Sequence, residues 1–295
     1  MSSEYRAALR VERVGFTTLQ DLGRPGWAHL GVPHSGAADR ASHRLANRLA
    51  GNLPTAATFE TSGGLVLHAL RELVVVLAGA ECDAFVDDAP LERCRATRIR
   101  AGQRVRVERV RTGVRSYLAV SGGIDCPKLL GSRSHDALSA IVPQMLTDGA
   151  ELSVGEPYEQ PHSLDLPIGP SHTSRIRLTK GPHAELFAPE LFEQLGRTTW
   201  TVSHESNRIG VRLTARAAGE TVFADLLESS SLGELDSMAL VRGAVQLTPS
   251  GELVVMLADH PTTGGYPVIA VVHADDVDQS AQCEPGGEVR LSWAD

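Results

Sequence analysis

Lysine is almost missing from this chain: Lys128 and Lys180 are its only two in 295 residues. The remaining cations are arginines, which stay protonated near neutral pH and cannot serve as general bases. No apolar run approaches the ~20 residues that span a bilayer. Met1 to Arg10 holds no apolar core of the kind a signal peptide needs. Cys82, Cys94, Cys126 and Cys283 form no CxxC pair and have no metal-ligand spacing. These absences predict a cytoplasmic protein with reduced thiols, outside the membrane and without a metal site. A GxxxxGK[ST] loop is missing too, so bound ATP would not lie in a P-loop. Neither lysine stands in a Met-Lys-Met sequence, so any biotin arrives on another polypeptide. The net charge of -8 argues against nucleic acid, whose phosphates require clustered excess cation.

What is present is an ordinary globular composition, 42% hydrophobic and 22% charged, at a length that suits two domains. Val11 to Leu22 opens with strand character. Asp39 is placed to cap a short helix in which Leu45 and Leu49 lie one turn apart, Ala41 and Ala46 share the face and Gly51 ends it. From Gly64 to Leu118 the apolar period is near two. It marks strands at Leu65–Leu67, Leu73–Leu77, Ala84–Val86, Thr97–Ile99, Val105–Val107 and Tyr117–Val120. Arginines between Arg93 and Arg115 alternate with Ile99, Val105, Val107 and Val110, which reads as the outward face of strands. Four prolines between Glu156 and Ser174 mark a linker over 157–174, between an N-terminal β-rich domain, 1–156, and a C-terminal one, 175–295. In the second half Arg175–Thr179, Trp200–Ser203, Gly210–Leu213 and Ala244–Leu247 read as strands. Pro182 through Leu195 reads as a helix burying Leu186, Leu191 and Leu195. Many short strands predict a mainly β fold, a β-rich α+β protein of barrel or sandwich type.

Chemistry gathers in three stretches. The richest is Asp259-His260-Pro261-Thr262-Thr263-Gly264-Gly265-Tyr266-Pro267, between apolar runs Leu253–Leu257 and Val268–Val272. A plain hairpin needs only a short polar turn. Here the glycine pair permits close backbone approach to a ligand, and Thr262, Thr263 and their amides can surround an anion or carboxamide. A solvated Gly-Gly turn is the competing reading. Histidine titrates near neutrality and a neighbouring carboxylate can tune it, so His260 and Asp259 are the acid–base candidates. Tyr266 either donates to a developing oxyanion or covers the strand end. The second stretch holds Gln20, Asp21 and Arg24 among sharp glycine turns. Arg24 either pairs internally with Asp21 or presents its fork to a substrate carboxylate with Asp21 orienting it. In the third, Asn207 is by default a turn cap, with Arg208 beside it. His34-Ser35 lies in no Gly-x-Ser-x-Gly elbow, which argues against a serine hydrolase.

In combination, QDLGRPG at 20–26, Gly31-Val32-Pro33, Ser35-Gly36-Ala37, Asp39, Ser206-Asn207-Arg208-Ile209-Gly210 and Thr262-Thr263-Gly264-Gly265-Tyr266-Pro267 resemble one family. It comprises the second-subunit homologues of allophanate hydrolase, also described as biotin-dependent carboxyltransferases, with the C-type subunit of 5-oxoprolinase and KipA-like proteins among them. The likeness runs from about Val14 to Val289. It implies two β-barrel-like domains of cyclophilin-like type and a KipI-like first-subunit homologue as partner. It promotes Asn207 and Arg208 to site lining. The candidate site then binds substrate through Gln20, Asp21, Arg24, Asn207, Arg208, Thr262, Thr263, Gly264 and Gly265, with His260, Asp259 and Tyr266 as catalytic candidates. The activity it implies is ATP-dependent opening of a small amide or lactam, as in a 5-oxoprolinase, with ATP shared among subunits. Two other functions within the family are carboxyl transfer from carboxybiotin to urea or another small amide, and KipA-like antagonism of a kinase inhibitor without catalysis. Several positions depart from the family pattern: His34 for a small or aliphatic residue, Pro261 and Val268 for Gln and Lys, and His135-Asp136-Ala137-Leu138 for a Thr and a glycine-rich stretch.

Overall fold

The computed structural model describes residues 7–164, 174–216 and 235–294. They form two compact units. The first takes in 7–24, 35–136 and 140–164; the second takes in 25–34, 137–139 and the described residues from 174 onward. Residues 165–173 of the expected linker lie outside the described residues. Its earlier part belongs to the first unit: Tyr158 and Glu159 both donate their amides to Gly51 O, and His162 donates to Leu49 O. Gly51 permits this contact, since a Cβ there would lie 2.1 Å from Glu159 O.

The first unit is a ten-stranded sheet curled into a half-barrel. Its strands are β1 (Leu9–Arg13), β2 (Thr17–Gln20), β3 (Thr58–Thr61), β4 (Leu65–Ala69), β5 (Leu73–Val86), β6 (Ala89–Pro90), β7 (Thr97–Ile99), β8 (Arg104–Val120), β9 (Ile124–Asp125) and β10 (Glu151–Val154). The main path runs β2-β3-β8-β4-β1-β10-β9, and β5 lies along β8. Leu9, Leu67, Val75, Leu77, Val107 and Leu118 meet in the buried core. The segments expected as separate strands at 73–77 and 84–86 fuse into β5, and those at 105–107 and 117–120 fuse into β8. Continuous pairing survives because the register shifts between Gly79 and Ala84. Gly79 itself takes a left-handed φ of 93°, where a Cβ would meet Arg115 O at 2.6 Å.

Helix α1 (Arg40–Leu49) begins where Asp39 was expected to cap it: the carboxylate accepts from Ser42 N at 2.9 Å. Its inward face differs from expectation. Ala41 is exposed, and Ser42, His43 and Asn47 are buried with Ala46 and Leu49.

The second unit is a closed barrel of order β11-β18-β15-β16-β13-β12-β19. Those strands are β11 (Arg175–Lys180), β12 (Thr199–Val202), β13 (Gly210–Ala215), β15 (Ala244–Leu247), β16 (Leu253–Met256), β18 (Val268–Val272) and β19 (Glu288–Trp293). A small ribbon pairs β14 (Met238–Ala239) with β17 (Thr263–Gly264). The barrel closes through the parallel pair β11–β19; its other pairs are antiparallel. The helix expected over 182–195 is broken. A 3-10 turn covers Ala184–Leu186, and helix α2 starts afresh at Pro189 and runs to Arg197. Proline disfavours helical backbone in the residue before it, and Ala188 has ψ 146°. Leu191 and Leu195 are buried as expected, while Leu186 is 47% exposed. Helix α3 (Val277–Ser280) is tied to β11 by Arg177, whose Nε and Nη2 donate to the two oxygens of Asp276. No helix among the described residues is long and apolar enough to cross a membrane.

Candidate functional site

In the first unit, β2 delivers Gln20 and Asp21 into a buried polar cluster. Asp21 Oδ1 accepts from Ser132 Oγ and Ser134 Oγ, both at 2.6 Å, and from Gly23 N at 2.8 Å. Its Oδ2 accepts from Arg133 N at 2.7 Å. Three of these four donors tie the 132–134 segment to the end of β2. Arg24 is 1% exposed, so it does not present its fork to solvent. It reaches instead into the 134–136 segment. Its Nη2 donates to Ser134 O, and its Nη1 stands 3.8 Å from Asp136 Oδ2, both side chains being fully buried. Gln20 Nε2 donates to Thr18 Oγ1 and His135 O, each at 3.0 Å. Because His135 O can only accept, the amide cannot be reversed, and Gln20 Oε1 is left buried with no hydrogen-bond partner among the described residues.

A second buried network holds the Ser35–Asp39 loop. Ser35 has φ 55°, left-handed and unusual for a residue with a Cβ, and its Oγ donates to His135 O at 3.1 Å. Glu60 Oε2 accepts from Ala38 N at 2.9 Å and from Tyr117 Oη at 2.8 Å, while Tyr117 Oη accepts from Asp39 N at 2.7 Å. Burial raises the Tyr117 phenol well above its ordinary pKa, so it stays protonated and keeps donating to Glu60. On α1, His43 Nε2 lies 3.1 Å from Pro54 O and Nδ1 lies 2.9 Å from Thr58 Oγ1. Burial lowers the His43 pKa to about 4, so the ring is neutral. Glu60, Tyr117, His43, Ser132 and Ser134 were not singled out from sequence, and Asp136 only as a departure from the family pattern. They sit in strands and loops that read as core or turn, and their partners are distant in the chain.

In the second unit, Arg208 and Asp259 form a bidentate pair, Nε to Oδ2 at 2.9 Å and Nη2 to Oδ1 at 3.0 Å. Asp259 is 0% exposed and also accepts from Ala137 N at 3.1 Å. The His260 ring turns to its own backbone, with Nδ1 2.7 Å from Pro261 O. That carbonyl can only accept, so Nδ1 carries a proton. Asn207 is exposed and acts as a turn cap, its Oδ1 accepting from Ile209 N at 2.8 Å.

The Thr262–Pro267 loop is not an anion nest. Neither Gly264 nor Gly265 has a left-handed φ, and Thr263 and Gly264 lie extended against Ala239 and Met238. Leu240 N donates to Thr262 O at 2.9 Å. A Cβ on Gly264 would meet Gln246 Nε2 at 2.7 Å and Leu240 Cδ1 at 2.8 Å, so a larger residue would have to displace these side-chain ends. Tyr266 is 48% exposed. Among the described residues no group of three or more His, Cys, Asp or Glu is placed to hold a metal ion.

A family model described as carboxyltransferase domain, subdomain A and B, matches residues 30–293. The chain belongs to this family. The C-type subunit of 5-oxoprolinase from Escherichia coli (strain K12) is 34% identical over 288 residues, covering 96% of this chain and 90% of that protein. Urea amidolyase of Lachancea kluyveri is 31% identical over 94% of this chain, which spans 16% of the larger protein. The crystal structure of TTHA0988 matches with a TM-score of 0.83 at 32% identity, over 97% of this chain and 55% of that one. Urea carboxylase of Kluyveromyces lactis matches with a TM-score of 0.85 at 30% identity, over 100% of this chain and 28% of that one. The carboxyltransferase-domain chain therefore spans nearly all of one relative, about half of TTHA0988 and smaller parts of the urea enzymes.

Proposed function

We propose that this chain is the C-type subunit of a 5-oxoprolinase-type lactam hydrolase, acting with a first-subunit homologue and ATP. The observation that carries this reading is its 34% identity to the C-type subunit of 5-oxoprolinase over 96% of the chain and 90% of that relative. The groups suited to a small amide lie in the second unit. In the first, Gln20 is 0% exposed, so its Oε1 cannot meet a substrate. Asp21 and Arg24 serve as the frame around Gln20 rather than as a substrate clamp. In the second, His260 is the group that takes a proton from attacking water. The Tyr266 phenol donates to the oxygen that becomes negative. Arg208, Asp259 and Ala137 fix the strand end from which His260 projects. The extended Thr262–Gly265 backbone offers no phosphate cradle, so we assign ATP to the partner side and route no step of this chain through it.

The decisive assay uses the chain co-expressed with its first-subunit homologue. Glutamate release from 5-oxoproline with ATP is expected, and the pair should co-purify through an interface of at least ~1,200 Å². Turnover of carboxybiotin with urea, and none of 5-oxoproline, would instead establish carboxyl transfer, the second reading, which the urea amidolyase likeness favours.

A further inference from the structure

Gln246 is a polar residue inside a barrel strand, 4% exposed, between Val245 and Leu247 at 1% each. A buried amide is retained at a cost unless its hydrogen bonds are made. Its Nε2 donates to Tyr266 O at 3.0 Å, reaching out of β15 to the descending arm of the Thr262–Pro267 loop. Two features aim it there. Pairing between β15 and β18 slips at this point, from Val245 opposite Ala270 to Gln246 opposite Val268, skipping Ile269. Such a bulge bends the strand and redirects its side chains. Secondly, the space that the Gln246 amide fills is the space that a Cβ on Gly264 would take.

We propose that Gln246 is the positioning residue of the Thr262–Pro267 loop: it fixes the Tyr266 backbone, and so the direction of the Tyr266 phenol, from below. The glycine at 264 is the complement of Gln246, and the two act as one device. His183 fastens the next turn of the same arm, accepting from Val268 N at 2.9 Å. Loop orientation is thereby set in part by side chains outside the loop, those of Gln246 and His183. For catalysis, the proposal rests on the reading that Tyr266 faces the reacting oxygen.

The test uses Gln246→Leu, Gly264→Ala and the double variant in the chain assembled with its partner. Leucine keeps the volume of the side chain and removes the donor. Alanine at 264 displaces the Gln246 amide, so it should act like the Gln246→Leu change. Each single variant is expected to speed amide hydrogen exchange over 262–268 without changing exchange in β16. Each should also lower kcat on 5-oxoproline roughly tenfold, with KM within about twofold. The double variant should fall less than about threefold below either single one, because both remove the same contact. Unchanged exchange at 262–268 in Gln246→Leu would overturn the positioning role. Faster exchange with unchanged kcat would leave the positioning intact and refute the catalytic reading of the loop. Additive losses in the double variant would show that Gly264 and Gln246 act separately, which also overturns the proposal.

Discussion

Both carboxylate oxygens of Asp259 are gripped by the guanidinium of Arg208, and the same carboxylate accepts from the amide of Ala137. Ala137 stands in the stretch where this chain departs from its family's pattern, so the departure falls on the wall of the Asp259 site. A backbone amide, not a side chain, makes that contact. The change of sequence at 135–138 thus leaves this hydrogen bond available.

The pair is buried, and its removal is expected to be asymmetric. Arg208→Met takes the guanidinium away from the fully buried Asp259, at a cost of ~3–5 kcal/mol. Replacing both, as Arg208→Met with Asp259→Leu, removes the stranded charge and should recover most of that loss. Urea denaturation of the three variants measures it. A single variant as stable as the parent would show that the pair does not support the barrel.

The barrels were legible in the alternation of apolar residues, because strands bury every second side chain whatever their partners. The break at Pro189 was legible too, in the rule that proline disfavours helix in the residue before it, yet the leucine spacing of 186, 191 and 195 masked it. The polar clusters were not. Asp21 reads as the neighbour of Arg24, but its donors include Ser132, Arg133 and Ser134, over a hundred residues away. Likewise, His43 and Asn47 fall on α1 where a helix face normally packs apolar side chains. Only the tertiary fold shows that this face meets Thr58 and the 54–56 backbone. Local pattern reports periodicity, whereas long-range polar partners leave no periodic trace.

Acid should destabilise the first unit through His43. Its folded pKa is about 4, against an ordinary 6.5, because burial disfavours the charged ring. The unfolded chain therefore binds a proton that the folded one does not, and stability falls as pH drops from 6.5 to about 4. The full span is worth roughly 3 kcal/mol. Denaturation midpoints from pH 7 to pH 4.5 should fall for the parent and fall less for His43→Gln. Identical slopes would mean that His43 is not the group responsible.

Asp21 is expected to act through the 132–134 segment. Asp21→Ala strands two hydroxyls and two amides together, so a loss of about 2–4 kcal/mol follows from several unmade buried hydrogen bonds. Proteolysis should then begin within 126–140 rather than in β5 or β8. Cleavage starting elsewhere would show that the segment is fastened by other groups.

His260 separates catalysis from structure most cleanly. Its Nδ1 contact is with the carbonyl of the following residue, so His260→Ala removes that local hydrogen bond and leaves the Arg208–Asp259 pair in place. Folding should change by about 1–3 kcal/mol. If His260 takes the proton from attacking water, turnover of the assembled complex should drop by roughly 10²-fold or more. His260→Gln offers a second check: it keeps a polar group of similar reach but cannot carry the proton, and should be as inactive as alanine. Full turnover in both variants would remove His260 from the reaction and leave it as the buried edge of the strand end.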